Sequence, residues 1–161
     1  MDVYVAVCGP DPCSADAAAT AEEVGRRLAE AGAVVVCGGH GGVMAAVAKG
    51  AAEAGGTVLG ILPGSDRAEG NPYLTVALPT GMGELRNGLI VRAADVVIAV
   101  EGEFGTLSEI ALALKIGRPV IGLGTWHLSK ERHTFADPIV RAATPEAAVT
   151  EALRLAGPQS R

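Results

Sequence analysis

The chain has 161 residues, 49% of them hydrophobic and 19% charged, with a formal net charge of −5. That length fits one domain able to bury roughly 70% of its unfolded surface, and the apolar content excludes a disordered chain. The negative balance argues against a nonspecific nucleic-acid binder, which needs a basic face, and no apolar run approaches the roughly 18 residues of a membrane span.

Only two Phe, two Tyr and one Trp are present, so the core must be built from Ala, Val, Leu and Ile. Such a core suits buried parallel strands covered by small-residue helices. Cys8, Cys13 and Cys37 form no CxxC pair, and an odd number makes a poor disulfide framework. They read as reduced thiols of a cytoplasmic protein. MDVYVAV begins with an acid and lacks the basic start of a secretory signal.

In chain order, Val3 to Cys8 is a short apolar run ended by Gly9-Pro10-Asp11-Pro12, a strand followed by a turn. Ser14 or Asp16 can cap a helix to about Glu30, with Ala17, Ala21, Val24 and Leu28 on one face and Gly32 after its end. Ala33 to Cys37 is a second strand. After the turn GGHGG comes the helix VMAAVAKGAAEA, closed by Gly55-Gly56. Thr57 to Leu62 is a third strand, residues 63–72 a surface loop, and Leu74 to Leu78 a short peripheral strand. Then follow a helix over Gly83 to Ala94, a strand over Asp95 to Val100, a helix over Thr106 to Ile116 and a strand over Pro119 to Leu123. Residues 125–138 are charged and aperiodic, a long loop or lid. Ile139 to Ala142 is a last strand. Thr144 caps a final helix with Pro145 in its first turn. Residues 1–157 form one domain and 158–161 a frayed tail. The alternation of strands and helices predicts a single Rossmann-like α/β domain. It would be a doubly wound parallel sheet of about six or seven strands with helices on both faces.

Two stretches carry candidate chemistry. The turn Cys37-Gly38-Gly39-His40-Gly41-Gly42 lies between a strand and a helix, where glycines let backbone N–H groups approach an anion. It lacks the register of GxGxxG and is followed by no GKS or GKT, which disfavours NAD binding and ATP hydrolysis. The second stretch is Arg86 to Glu109, RNGLIVRAADVVIAVEGEFGTLSE, which places an arginine, a glycine-containing loop, a hydroxyl and a carboxylate around one strand end. Thr106-Leu107-Ser108-Glu109 also fits a capping box, in which Glu109 would bond back to the helix start. Phe104 stands beside Gly105 in this loop, and Asp11 borders the same sheet edge. No histidines or cysteines show metal-ligand spacing, so no metal is expected.

GGHGGVMAAVAKGA, the Arg86 to Ile110 stretch and IGRPV together resemble the LOG-type family of Rossmann-like proteins, long mislabelled as lysine decarboxylases. The resemblance is to its short branch that includes molybdenum-cofactor carrier proteins. It spans roughly residues 3–123. It implies a phosphoribohydrolase that cleaves a nucleoside 5′-monophosphate to base and ribose 5-phosphate, with Arg86 and Glu109 catalytic. The resemblance also implies ligand or phosphate contacts at Gly38, Gly39, His40, Gly41, Gly42, Met44, Asn87, Gly102, Phe104, Gly105 and Thr106. Three positions depart from the family pattern: Asn87 replaces a Lys, Glu101 a Pro and Glu103 a Gly. Two added carboxylates would repel a phosphate by about 1 kcal/mol each at short range in a wet site. The alternative reading is a non-catalytic carrier or sensor of a nucleotide-like or pterin ligand. In either case the expected partner is a small molecule, an AMP-like nucleotide or a molybdopterin-type ligand, with no required cofactor, nucleic acid or membrane. The helices at 83–94 and 106–116 are apolar on more than one face, and the family is dimeric or larger, so a homodimer or homotetramer is expected.

Overall fold

The structure is a computed structural model and describes residues 2–157; the tail expected to fray, 158–161, lies outside them. Seven strands form one sheet: β1 (Tyr4–Cys8), β2 (Val34–Cys37), β3 (Val58–Leu62), β4 (Val76–Pro79), β5 (Val96–Val100), β6 (Val120–Leu123) and β7 (Val140–Arg141). Their order is β4-β3-β2-β1-β5-β6-β7, and every pair is parallel. The central strand β1 registers Val5 against Val35 on one side and Val96 on the other. Its side chains alternate between layers as a pleated strand requires: Val5 and Val7 face one core, Ala6 and Cys8 the other.

Three helices cover the first layer: α1 (Ala15–Glu30), α2 (Val43–Glu53) and α5 (Pro145–Ala156). Ser14 Oγ accepts from the Ala17 N–H at 3.0 Å and Thr144 Oγ1 from the Ala147 N–H at 3.1 Å, so both helices start where their hydroxyl caps predict. α1 and α2 meet through glycines. A Cβ on Gly50 would lie 1.9 Å from the Glu22 carbonyl oxygen, and one on Gly25 2.1 Å from that of Val47. The second layer holds α3 (Asn87–Ala93) and α4 (Phe104–Lys115), packed by Ile90, Val91, Ile110 and Ala113.

Several boundaries differ from the sequence reading. Residues 83–94 are not one α-helix: Gly83–Arg86 is a 3-10 turn and α3 begins at Asn87. The bend is tied to the side chain of Arg86, which reaches back under β3. β4 pairs over Val76–Pro79, two residues later than the apolar run suggests, because Thr75 spends its hydroxyl on the Val58 N–H at 2.9 Å. α4 begins at Phe104 rather than Thr106. Gly102, at φ +120°, turns the chain early enough for Phe104 and Gly105 to join the first turn. Thr106 is therefore inside the helix and buried, which removes the capping-box reading of Glu109.

Candidate functional site

From β1 the chain winds outward through β2, β3 and β4, then returns to β5 on the other side of β1. The loops after β1 and β5 therefore diverge, which opens a crevice at the carboxyl ends of these strands, the usual ligand position in a doubly wound sheet. A cavity of about 200 Å³ lies there. Gly9, Pro10 and Asp11 form one wall; Glu103, Gly105, Thr106 and Glu109 form the other; Met44, Arg86 and Asn87 close it.

Arg86 is set by the backbone. Its Nε donates to the Ile61 carbonyl at 2.8 Å and its Nη2 to the Gly38 carbonyl at 3.4 Å, while Nη1 donates to Asn87 Oδ1. Gly38 is needed for this path, since a Cβ there would stand 2.7 Å from Nη2. Asn87, buried at the head of α3, passes the tie onward: its Nδ2 donates to Ser108 Oγ at 2.9 Å, and that hydroxyl donates to the Gly105 carbonyl at 2.6 Å. The guanidinium is half-buried, and burial lowers its pKa against the opposing pull of Glu109. Asn87 thus acts as a neutral clamp between α3 and α4.

Glu109 sits at the cavity floor with only 8% of its surface exposed. Burial pushes its carboxyl up to about 7, although Arg86 and the Cys8 thiol pull the other way. No ion pair joins it to Arg86 among the described residues. Beneath it the Cys8 thiol is held protonated by burial and by this carboxyl, and burial raises Cys37 to about 11. Above it, Gly105 and Thr106 belong to the first turn of α4, whose start has no side-chain cap, so amide dipoles face the same space.

The glycine turn is arranged differently from a bare anion cradle. The Gly41 N–H donates to Asp11 Oδ2 at 3.2 Å and the Val43 N–H to the Pro10 carbonyl at 3.1 Å. One amide of the turn and the first amide of α2 are thus occupied by the loop after β1. Of the expected contacts, the cavity brings together Arg86, Glu109, Met44, Asn87, Gly105 and Thr106. Gly38 and Gly39 lie behind it, against Arg86 and Leu62, and Gly42 packs on Pro10. Gly102 shapes the loop, since a Cβ there would strike Thr106. Phe104 points outward, 77% exposed, with its ring 5.6 Å from that of Trp126. His40 and Gly41 face a second, shallower cavity of about 440 Å³, lined also by Asp11, Glu69, Gly70 and Asn71. The two cavities share Asp11. Pro10 escapes a sequence reading because only the strand order puts β1 beside β5.

The chain matches the SLOG cluster4 family over residues 2–149. It is similar to a molybdenum cofactor binding protein of Rippkaea orientalis, with 30% identity, a TM-score of 0.86 and coverage of 96% of this chain and 98% of that one. The molybdenum cofactor carrier protein of Chlamydomonas reinhardtii is 31% identical, with a TM-score of 0.81 and the same coverage. An uncharacterized protein of Archaeoglobus fulgidus is 43% identical over 121 residues, 75% of this chain and 80% of that one. DNA processing protein A of Helicobacter pylori, at 18% identity and a TM-score of 0.69 over 94% of this chain and 80% of that one, shares the fold alone.

Proposed function

The chain belongs to the SLOG cluster4 family, and from that membership we propose that it is a carrier. It binds the molybdenum cofactor, or another phosphorylated nucleotide-like ligand, in the cavity at the β1–β5 divide and releases it unchanged. The observation that carries this reading is the end-to-end likeness to two cofactor-binding proteins, each covering 96% of the chain. The site chemistry fits a phosphorylated ligand. Arg86 offers a fixed guanidinium, and the α4 start offers uncapped amides in the same cavity. Size fits only if both cavities are used. About 200 Å³ is below the roughly 300–1,000 Å³ of ordinary small-molecule sites, so the ligand would extend past Asp11 into the 440 Å³ depression.

A second reading, hydrolysis of a nucleoside 5′-monophosphate, is favoured by one observation: Arg86 and Glu109 share a cavity. Stabilising an oxocarbenium-like state needs an ionised carboxylate near the sugar. Burial pushes the Glu109 carboxyl up to about 7, which disfavours the ionised form, so this reading ranks second.

Loading separates the two. The protein would be incubated with molybdenum cofactor released from a molybdenum enzyme and passed through gel filtration, with molybdenum and oxidised pterin measured in the protein fraction. Co-elution is expected. Loss of both signals, together with free-base release from a nucleoside monophosphate that disappears in Glu109→Gln, would overturn the carrier in favour of the hydrolase. DNA is expected not to shift the protein in a gel, in line with its charge of −5.

The expected assembly belongs to this proposal. Leu85 is 77% exposed, and Met82, Leu89 and Leu112 are exposed on the same layer, an apolar patch that a second copy would cover. Cytoplasmic location also stays a proposal; among the described residues no helix is long and apolar enough to cross a membrane.

A further inference from the structure

Glu109 is a buried acid with no ion-pair partner among the described residues, and the Arg86 charge only partly offsets its burial. Its carboxyl is on the cavity floor, 8% exposed, close enough to the Cys8 thiol for each to shift the other. The nearest cation, Arg86, spends Nε, Nη1 and Nη2 on the Ile61 carbonyl, Asn87 Oδ1 and the Gly38 carbonyl. Asp11 and Glu103 add two carboxylates to the walls of the same cavity. An ionised Glu109 would therefore be desolvated and without an ion-pair partner, and burial disfavours the anion. A phosphate arriving beside Arg86 and the α4 amides would add more negative charge still.

We propose that Glu109 meets its ligand as a neutral carboxylic acid, donating a hydrogen bond to an anionic oxygen held by Arg86, so that capture takes up a proton. This rests on the carrier reading. The balance is simple: an ionised Glu109 takes one proton from water as the ligand enters, and returns it when the ligand leaves. A carrier built this way holds its cargo at neutral pH and loosens it as pH rises.

Besides Glu109, the site holds two thiols, an arginine and two further carboxyl groups. Cys8 from β1 and Cys37 from β2 stay protonated because burial raises both thiols. Arg86 stays charged, since an arginine lowered somewhat from its ordinary value is still a cation at these pH values. Asp11 Oδ2 accepts the Gly41 N–H, and Glu103 is exposed at the head of α4. Glu109 itself, pushed up to about 7, changes charge at the pH where release would matter.

The probe is adenosine 5′-monophosphate, titrated calorimetrically at pH 6.5 and 8.5 in buffers of different ionisation enthalpy, with wild type and Glu109→Gln side by side. The nucleotide's own phosphate proton is common to both proteins and cancels in the comparison. Wild type is expected to take up close to one proton more than the variant at pH 8.5, and to lose about tenfold in affinity per pH unit above 7. Glu109→Gln, which keeps a hydrogen-bond donor but not the titration, is expected to bind less tightly than wild type at pH 6.5 and to lack the extra slope. Molybdenum cofactor loading, read as molybdenum retained after gel filtration at the two pH values, provides the same comparison for the proposed cargo. Binding with equal pH slopes and equal proton uptake in both proteins overturns the proton coupling and leaves the carrier standing. Absence of binding by both probes at pH 6.5 overturns the carrier and the coupling together.

Discussion

The two helical layers of this sheet are finished to different degrees. On the first, α1 and α2 close onto one another until a Cβ at Gly50 would stand 1.9 Å from the Glu22 carbonyl, and the rim is tied by Lys49 to Glu22 at 2.7 Å. On the second, α3 and α4 leave Leu89 and Leu112 exposed, keep a cavity at their sheet end and bury an unpaired acid within it. The difference teaches where each layer draws its stability. The first is complete within one chain. The second holds features that cost stability alone and become useful once a ligand or a second copy arrives.

The contrast can be broken most strongly at Gly50. Alanine is the better helix former by about 1 kcal/mol, but its Cβ has no room, so Gly50→Ala is expected to destabilise by about 2–3 kcal/mol in denaturant unfolding. Gly88→Ala is the control on the other layer. Nothing lies within 4 Å of a Cβ there, and a gain of about 0.5 kcal/mol is expected.

Glu109 gives an effect of comparable size with a pH signature. Its folded pKa, about 7 against the ordinary 4.5, means the native state holds the proton more tightly, so wild-type stability falls as pH rises from about 4.5 to 7. Removing the titration removes that loss. The stability of Glu109→Gln relative to wild type is expected to grow by about 3 kcal/mol between pH 4.5 and 8, read from unfolding curves at each pH. A flat difference would mean that the carboxyl is solvated and the layer less strained than it looks.

Leu85→Asp combined with Leu89→Asp tests whether the open layer is an interface. Light scattering after gel filtration is expected to show a smaller assembly than wild type, with the unfolding of the separated chain changed by less than about 1 kcal/mol, because both side chains lie on the surface. Lys49→Ala, on the finished layer, is expected to leave the thermal midpoint where it was, since an exposed ion pair adds little.

Much of this was legible in the residues themselves. Short apolar runs between turns placed all seven strands within a residue or two, and Ser14 and Thr144 marked two helix starts by local hydrogen bonding. Arg86 and Glu109, with Thr106 and Asn87, stood out as chemistry-bearing residues, and they do share one cavity. The capping box misled because Thr-x-x-Glu has the same spacing inside a helix as at its start, and only the turn at Gly102 decides which it is. Asp11 and Gly9 gave a weak signal, because nothing in a one-dimensional reading says that the loop after β1 lies beside the loop after β5.

The sequence by itself determined the alternating strands and helices, the small-residue core and the residue types available to a site, because periodicity and capping act over a few residues. The tertiary structure decided what those residues do. Strand order brought β1 beside β5, the carbonyls of Ile61 on β3 and of Gly38 just after β2 fixed Arg86, and burial pushed the Glu109 carboxyl up to about 7. Those are long-range effects of packing and desolvation, which no local stretch of sequence contains.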